Sequence, residues 1–332
     1  MLNLVQNNSN IYMEKRELGR SGIKVAPLAF GTNVFGWTAD EATSFELLDA
    51  FVDAGFNLID TADVYSKWIP GHVGGESETI IGKWIKKSGK RNKVVIATKV
   101  GHLMGMGLKD EKGLAKEYIL RAVEGSLKRL QTDHIDLYQS HQDDAGTPIH
   151  ETLEAYDILI KQGKVKAIGA SNFTAARLAE SLQVSEKNGL PAYQTLQPLY
   201  NLYDRETFEK ELEPLCLNKG ISVINFYALA CGFLTGKYRT SADFSKSVRG
   251  DRVKANYFND RGLKILSAVD EVAKKFNATP AQVSIAWLVA RPSVTAPIAS
   301  ATNIKQFKDF AVGAELKLDN ASIEKLNDTS KW

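Results

Sequence analysis

Cysteine is scarce: Cys216 and Cys231 are the only two in 332 residues. Two thiols cannot build a disulfide framework, which fits a reducing compartment, and a cytoplasmic location is the expectation. Both read as small core or loop residues rather than nucleophiles. Long apolar runs are missing too. No stretch reaches the ~18 residues that a membrane-spanning helix needs, so no membrane partner is expected. Charge of one sign is also lacking, since 42 Lys and Arg against 39 Asp and Glu leave a formal net charge of +3. No basic block is dense enough for a nucleic-acid footprint, and nucleic acid is set aside as a partner. His72, His102, His134 and His150 show no metal-ligand spacing with one another or with the cysteines, so no catalytic metal is expected. The opening MLNLVQNNSNIY lacks a basic segment followed by an apolar one and does not read as a secretory signal. Residues 1 to about 12 are read as a flexible tail. No Pro/Ser-rich tract, low-complexity run or charge block divides the remainder, so residues 13–332 are expected to form a single domain.

Alternation is what the chain does have. After RELGRSGIKVAP, whose Gly-containing turn predicts a hairpin, short apolar runs alternate with longer amphipathic ones. The short runs are PLAFGT, FNLIDT, KVVIATK, IDLYQSH, VKAIGAS, YQTLQ, ISVINFYAL and TAPIAS, which makes eight expected strands. Near-continuous apolar runs are what strands buried on both faces require. Between them, stretches such as EATSFELLDAFVDAG and YILRAVEGSLKRL carry apolar residues three and four apart, the spacing of an amphipathic helix. The stripe Leu120, Val123, Leu127 and Leu130 is expected to face the core. Eight such units form either a closed barrel or an open, doubly wound sheet. An open nucleotide-binding sheet would carry GxGxxG after its first strand, whereas this turn reads GTNVFGW, with Gly31 and Gly36 too far apart. The expected fold is therefore α/β: a single (β/α)8 TIM barrel with an N-terminal hairpin and long loops at the C-terminal mouth.

Ionisable residues fall where successive runs stop: Asp60 and Tyr65 after FNLI, Lys99 after VVIAT, and His141 after IDLYQS. In a barrel these strand ends meet at one mouth, where active sites gather. A phenol, an amine, a carboxylate and an imidazole are the groups needed to move a proton onto a carbonyl oxygen. A phenol titrates near ~10, so as an acid at neutral pH it works best if a cation lowers that value. Lys99 is expected to supply the cation, Asp60 to compensate its buried charge, and His141 to orient the substrate oxygen or share the proton.

Taken together these segments resemble a known family. GFNLIDTADVYSKWIPGHVGGESETIIGKWI is similar to the signature of the aldo-keto reductases, KVVIATKVG to the family's lysine-bearing third strand, and DHIDLYQSHQDD to its histidine-bearing fourth. GKVKAIGASNFTAARL, LQPLYNLYDRE and LACGFLTGKYR add to the match, which runs from about Arg16 almost to the C-terminus. The resemblance implies a TIM barrel, a nicotinamide dinucleotide bound in extended form, and reduction of a carbonyl to an alcohol. It implies Asp60, Tyr65, Lys99 and His141 as the catalytic tetrad. It also implies that Ser171, Asn172 and Gln197 hold the nicotinamide carboxamide and that Phe226 stacks on the ring, with Gly31, Thr32, Asp60, Leu229, Gly232, Lys237 and Gln306 as further cofactor contacts. TAPIASATNIKQF resembles the region that holds the 2′-phosphate of NADPH. A basic residue is frequent there, whereas here the first positions are Ala299, Ser300, Ala301 and Thr302. Ser300, Thr302, a helix N-terminus and Lys305 are left to bind a phosphate, or the two hydroxyls only cap a helix. NADPH is the expected cofactor, with NADH as the alternative.

By the same resemblance the pocket walls come from residues 101–117, with Met104 and Met106, and from 238–258. Trp37, Trp68 and His141 are expected in the substrate pocket, and Arg249 and Arg252 either reach over the cofactor phosphates or sit in a solvated loop. The partner is then a small carbonyl compound. Two other readings stand beside this one: a lyase or isomerase with Lys99 as a Schiff-base amine, against which Asp60 and Tyr65 argue, and a cofactor-holding accessory subunit with slow turnover. Barrels of this family also associate, and no sequence feature fixes an oligomeric state.

Overall fold

The computed structural model describes residues 13–102 and 113–332. The expected tail at residues 1 to 12 and the loop methionines Met104 and Met106 lie outside them. The chain opens with an antiparallel hairpin, β1 (Arg16–Glu17) and β2 (Lys24–Val25). Eight parallel strands follow: β3 (Ala29–Gly31), β4 (Leu58–Asp60), β5 (Val95–Val100), β6 (Ile135–Ser140), β7 (Val165–Ser171), β8 (Thr195–Gln197), β9 (Ser222–Val223) and β10 (Ile298–Ala299). They pair in chain order, with β10 returning to lie beside β3. The gap between β9 and β10 is bridged by Thr295 N donating to Val223 O at 2.8 Å and Ile298 N to Asn225 O at 2.9 Å. The eight strands thus curl into a (β/α)8 barrel, as expected from the sequence, and seven fall inside the apolar runs while β5 extends one residue past its run, to Val100.

Helices α1 (Glu41–Asp53), α2 (Glu76–Ser88), α3 (Lys116–Leu130), α4 (Ile149–Lys161), α5 (Ala175–Asn188) and α6 (Glu213–Lys219) fill the successive crossovers from β3 to β9. Between β9 and β10 come α7 (Gly250–Asn256), α8 (Asp260–Phe276) and α9 (Pro280–Val289), and the chain ends with α10 (Ile304–Glu315) and α11 (Asn320–Thr329). Local chemistry sets several ends. Asp40, Thr174, Asn259 and Asn303 each accept a backbone N–H from the first turn of the helix they precede, and Gly89, Gly189 and Gly220 close helices in the left-handed conformation. Residues 238–258, expected as a loop, contain a 3-10 turn at Ser241–Lys246 and α7. A Thr240–Asp243 capping box, reciprocal between side chains and backbone, starts that turn.

The core has two parts. Between barrel and helices lies the larger one, in which Val123, Leu127 and Leu130 of α3 are buried and Leu120 packs on its edge. Inside the barrel, Ala29, Leu58, Ala97, Leu137, Ala167, Ile224, Ala296 and Ile298 meet Leu18 and Val25 of the hairpin, which stoppers the N-terminal end. Each fully buried Leu, Ile or Phe contributes roughly 1.5–3 kcal/mol. Because side chains alternate along a strand, the inward residues one step further up are Asp60, Lys99, Gln139, Gly169 and Thr195, with Gln197 two residues beyond Thr195. The interior therefore turns from apolar to polar at the C-terminal mouth. Among the described residues no helix is long and apolar enough to cross a membrane, and Cys216 and Cys231 are buried and unpaired, with burial pushing the Cys216 thiol up to about 12.

Candidate active site

Lys99 is wholly buried, and its ammonium is the hub of the mouth. It donates to Asp60 Oδ2 at 2.7 Å, to the Thr61 carbonyl at 2.8 Å and to the Tyr65 hydroxyl at 2.9 Å. Strand β4 delivers Asp60 as its last residue, the loop after it delivers Tyr65, and β5 delivers Lys99. His141 directly follows β6, and its ring lies 6.0 Å from that of Tyr65. The structure thus brings the four expected residues together. A fifth polar residue adjoins them, His102, edge-on to His141 with ring centroids 4.3 Å apart.

The electrostatics differ from the sequence expectation at one point. Burial, and then the neighbouring Asp60, hold the Tyr65 phenol well above the usual tyrosine range, so Lys99 does not lower it. The reason is pairing: with Asp60 at 2.7 Å from the ammonium, the phenol faces a nearly neutral couple, and loss of solvation decides the direction. Burial likewise draws Lys99 below the ordinary lysine range, with Asp60 opposing. Burial, followed by Lys99 and His102, keeps His141 well below the usual histidine range, so its imidazole is neutral at neutral pH.

A cavity of about 870 Å³ runs from Tyr65, Asp60 and His141 past the ends of β7 and β8 to the start of α10. Ser171, Asn172, Gln197 and Phe226 line it next to the tetrad, and Gly31 beneath. Asn172 sits in the left-handed region (φ 56), which asparagine tolerates better than most residues. The Ser171 hydroxyl donates to the Gln197 carbonyl oxygen at 2.9 Å, and Asn172 Nδ2 donates to the His141 carbonyl at 2.9 Å. Trp37 and Trp68 stand edge to face at 5.7 Å on the open side, with Trp68 6.1 Å from Tyr65. Leu229, Gly232 and Lys237 line the middle, and Ser300, Thr302 and Gln306 the far end. Thr32 alone of the expected contacts does not reach the cavity: it is buried, and its hydroxyl donates to the Asp60 carbonyl oxygen. Neither Ser300 nor Thr302 caps α10, because Asn303 does; Ser300 donates to Asn33 and Thr302 to Gln306. Arg249 lines the cavity, whereas Arg252 donates to the Tyr227 hydroxyl.

A family model for the aldo/keto reductases matches residues 27–331. The chain belongs to the aldo/keto reductase family. Among its relatives, the uncharacterized oxidoreductase YrpG of Bacillus subtilis (strain 168) is 37% identical over 321 residues, covering 95% of each chain. A probable voltage-gated potassium channel subunit beta of Arabidopsis thaliana is 34% identical over 303 residues, 90% of each. Aldo-keto reductase YhdN of Bacillus subtilis (strain 168) is 34% identical over 291 residues, 84% of this chain and 82% of that one. This aldo/keto reductase is accordingly an NAD(P)-dependent oxidoreductase acting on small carbonyl compounds.

The cavity fits such a cofactor on its own chemistry. Lys237 and Arg249 both line it, close enough that Arg249 acts on the Lys237 charge, and no ion pair among the described residues engages either. Burial, and then Arg249, draw Lys237 below the ordinary lysine range. An anion placed between them relieves that cost, and a dinucleotide carries its diphosphate at its middle. At the far end Lys305 is exposed, and Asp309, held by Thr279 and Gln282, also lines the cavity. Two residues escaped the sequence reading. Asp309 lies one helical turn after Lys305 and carried no motif. Gln139 shares its strand face with Leu137 and His141, so the two-residue period was the signal that placed it inside the mouth.

Proposed function

We propose that the chain is an NADPH-dependent reductase of aldehydes or ketones in which Tyr65 is the general acid. The observation that carries this is the Lys99 ammonium, 2.7 Å from Asp60 and 2.9 Å from the Tyr65 oxygen. When bound, the reduced nicotinamide supplies a hydride to the carbonyl carbon. Tyr65 stays protonated at neutral pH because burial and Asp60 favour the neutral phenol. Its O–H, which in this structure leans on Asp60 Oδ2 at 3.4 Å, turns to the substrate oxygen and gives up the proton. The phenolate left behind is stabilised by the Lys99 ammonium, which Asp60 and the Thr61 carbonyl keep in place. Neutral His141 holds the same substrate oxygen without adding charge, and Trp37 and Trp68 form the apolar side of the substrate's entrance. Ser171, Asn172 and Gln197 hold the carboxamide and so fix the ring face. Phe226 would lie against the ring, with Gly31, Leu229, Gly232 and Lys237, which line the same cavity, along the rest of the cofactor. Ser300, Thr302, Gln306 and Lys305 hold the 2′-phosphate. Residues 13–332 act as one domain, and the two unpaired buried thiols support a cytoplasmic setting.

Titration with NADPH and NADH followed by a carbonyl panel tests the reading. Oxidation of bound NADPH on adding an aldehyde or ketone is expected, and absence of binding by either dinucleotide overturns it. A second reading, a cofactor-holding accessory subunit, draws support from relatives named as potassium channel β subunits. Tight binding without turnover across the panel would favour it.

A further inference from the structure

Lys99, Gln139, Gly169 and Thr195 lie side by side in register across β5, β6, β7 and β8, directly above the apolar barrel interior. Gln139 has no part in the mechanism above, yet it is wholly buried beside Asp60. Its Nε2 donates to Asp60 Oδ1 at 3.4 Å, and its Oε1 accepts from Gln197 Nε2 at 3.4 Å. Gln197 Nε2 also donates to Asp60 Oδ1, at 2.8 Å. Gly169 leaves room for this triangle: a Cβ there would stand 3.1 Å from Gln139 Cγ and 2.2 Å from Thr195 Oγ1.

Asp60 fixes the sense of the triangle. A carboxylate paired with an ammonium only accepts, so both amides must turn their nitrogens toward it. A flipped Gln197 would set its oxygen against Asp60 Oδ1 and against Gln139 Oε1 together. Its carbonyl is therefore the end left for the cavity that Gln197 lines, and no hydrogen bond among the described residues engages that Oε1. An acceptor held there selects a donor.

We propose that Gln139 is a positioning residue which, with Asp60, locks the Gln197 amide so that its Oε1 demands an N–H from the nicotinamide carboxamide. The inference rests on the reading of Gln197 as a cofactor contact. Its test compares NADP+ with the analogue in which an acetyl group replaces the carboxamide, so that a methyl stands where the NH2 was. Binding of each to the purified full chain is followed by quenching of tryptophan fluorescence, without turnover. The wild type should bind the analogue at least about tenfold more weakly, the loss of one hydrogen bond to a buried acceptor. In Gln139→Leu and Gln139→Met, Gln197 keeps one tether and can swing, so the preference should shrink by about threefold or more. A merely structural role would weaken both ligands alike and leave the ratio at its wild-type value. That ratio in either folded variant, or a wild-type ratio near one, overturns the proposal. Wild-type protein that binds neither dinucleotide refutes instead the assignment of Gln197, and this inference with it.

Discussion

Lys99→Met puts a side chain of similar length and no charge into a site with no exposure to solvent. Three hydrogen bonds disappear, to Asp60, the Thr61 carbonyl and Tyr65. The larger loss is that Asp60, only 1% exposed, keeps its charge with no cation beside it. Removing one partner of a buried ion pair costs about 3–5 kcal/mol, mostly because the other charge stays buried. The amide nitrogens of Gln197 and Gln139 still reach Asp60, which places the expected loss toward the lower end of that range. Urea unfolding of both proteins measures it, and Asp60→Asn combined with Lys99→Met, which removes both charges of the pair, should recover much of the loss. A deficit under about 1 kcal/mol would refute the buried pair as the organiser of this mouth.

Tyr65→Phe should lower kcat by about 10²–10⁴-fold through loss of the proton donor while the NADPH Kd stays nearly unchanged; stopped-flow turnover and fluorescence titration separate the two, and an active variant would exclude Tyr65 as the acid. The pH profile of kcat/KM for reduction should be level through neutrality, since His141 is held neutral, and should fall as rising pH takes the proton from Lys99, beginning below the ordinary lysine range. A limb near the usual histidine pKa would contradict this. Lys305→Ala should weaken NADPH binding and leave NADH binding untouched, because the side chain is proposed to meet only the 2′-phosphate; equal weakening of both would remove it from that role.

The order of apolar and amphipathic segments determined a parallel α/β architecture, because strands buried on both faces leave continuous apolar runs and each run needs a helix to return beside its neighbour, and the first turn's lack of GxGxxG favoured the barrel over an open sheet. The hairpin was legible from its turn, and Asp60, Lys99 and His141 from their places at strand ends. Tertiary structure alone decided what those groups do to one another. That Tyr65 is held as a neutral phenol depends on the 2.7 Å separation between the Lys99 and Asp60 charges and on burial, neither of which is written in local sequence. Thr32 follows a strand just as Asp60 ends one, yet its hydroxyl turns to a neighbouring carbonyl instead of the cavity. Gln139 sits in an ordinary strand run and gains its meaning from Asp60 and Gln197, which lie 79 and 58 residues away in the chain. Periodicity records which face a side chain takes, because that follows from backbone geometry. Which atoms meet on that face is settled only when distant strands close the barrel and exclude water between them.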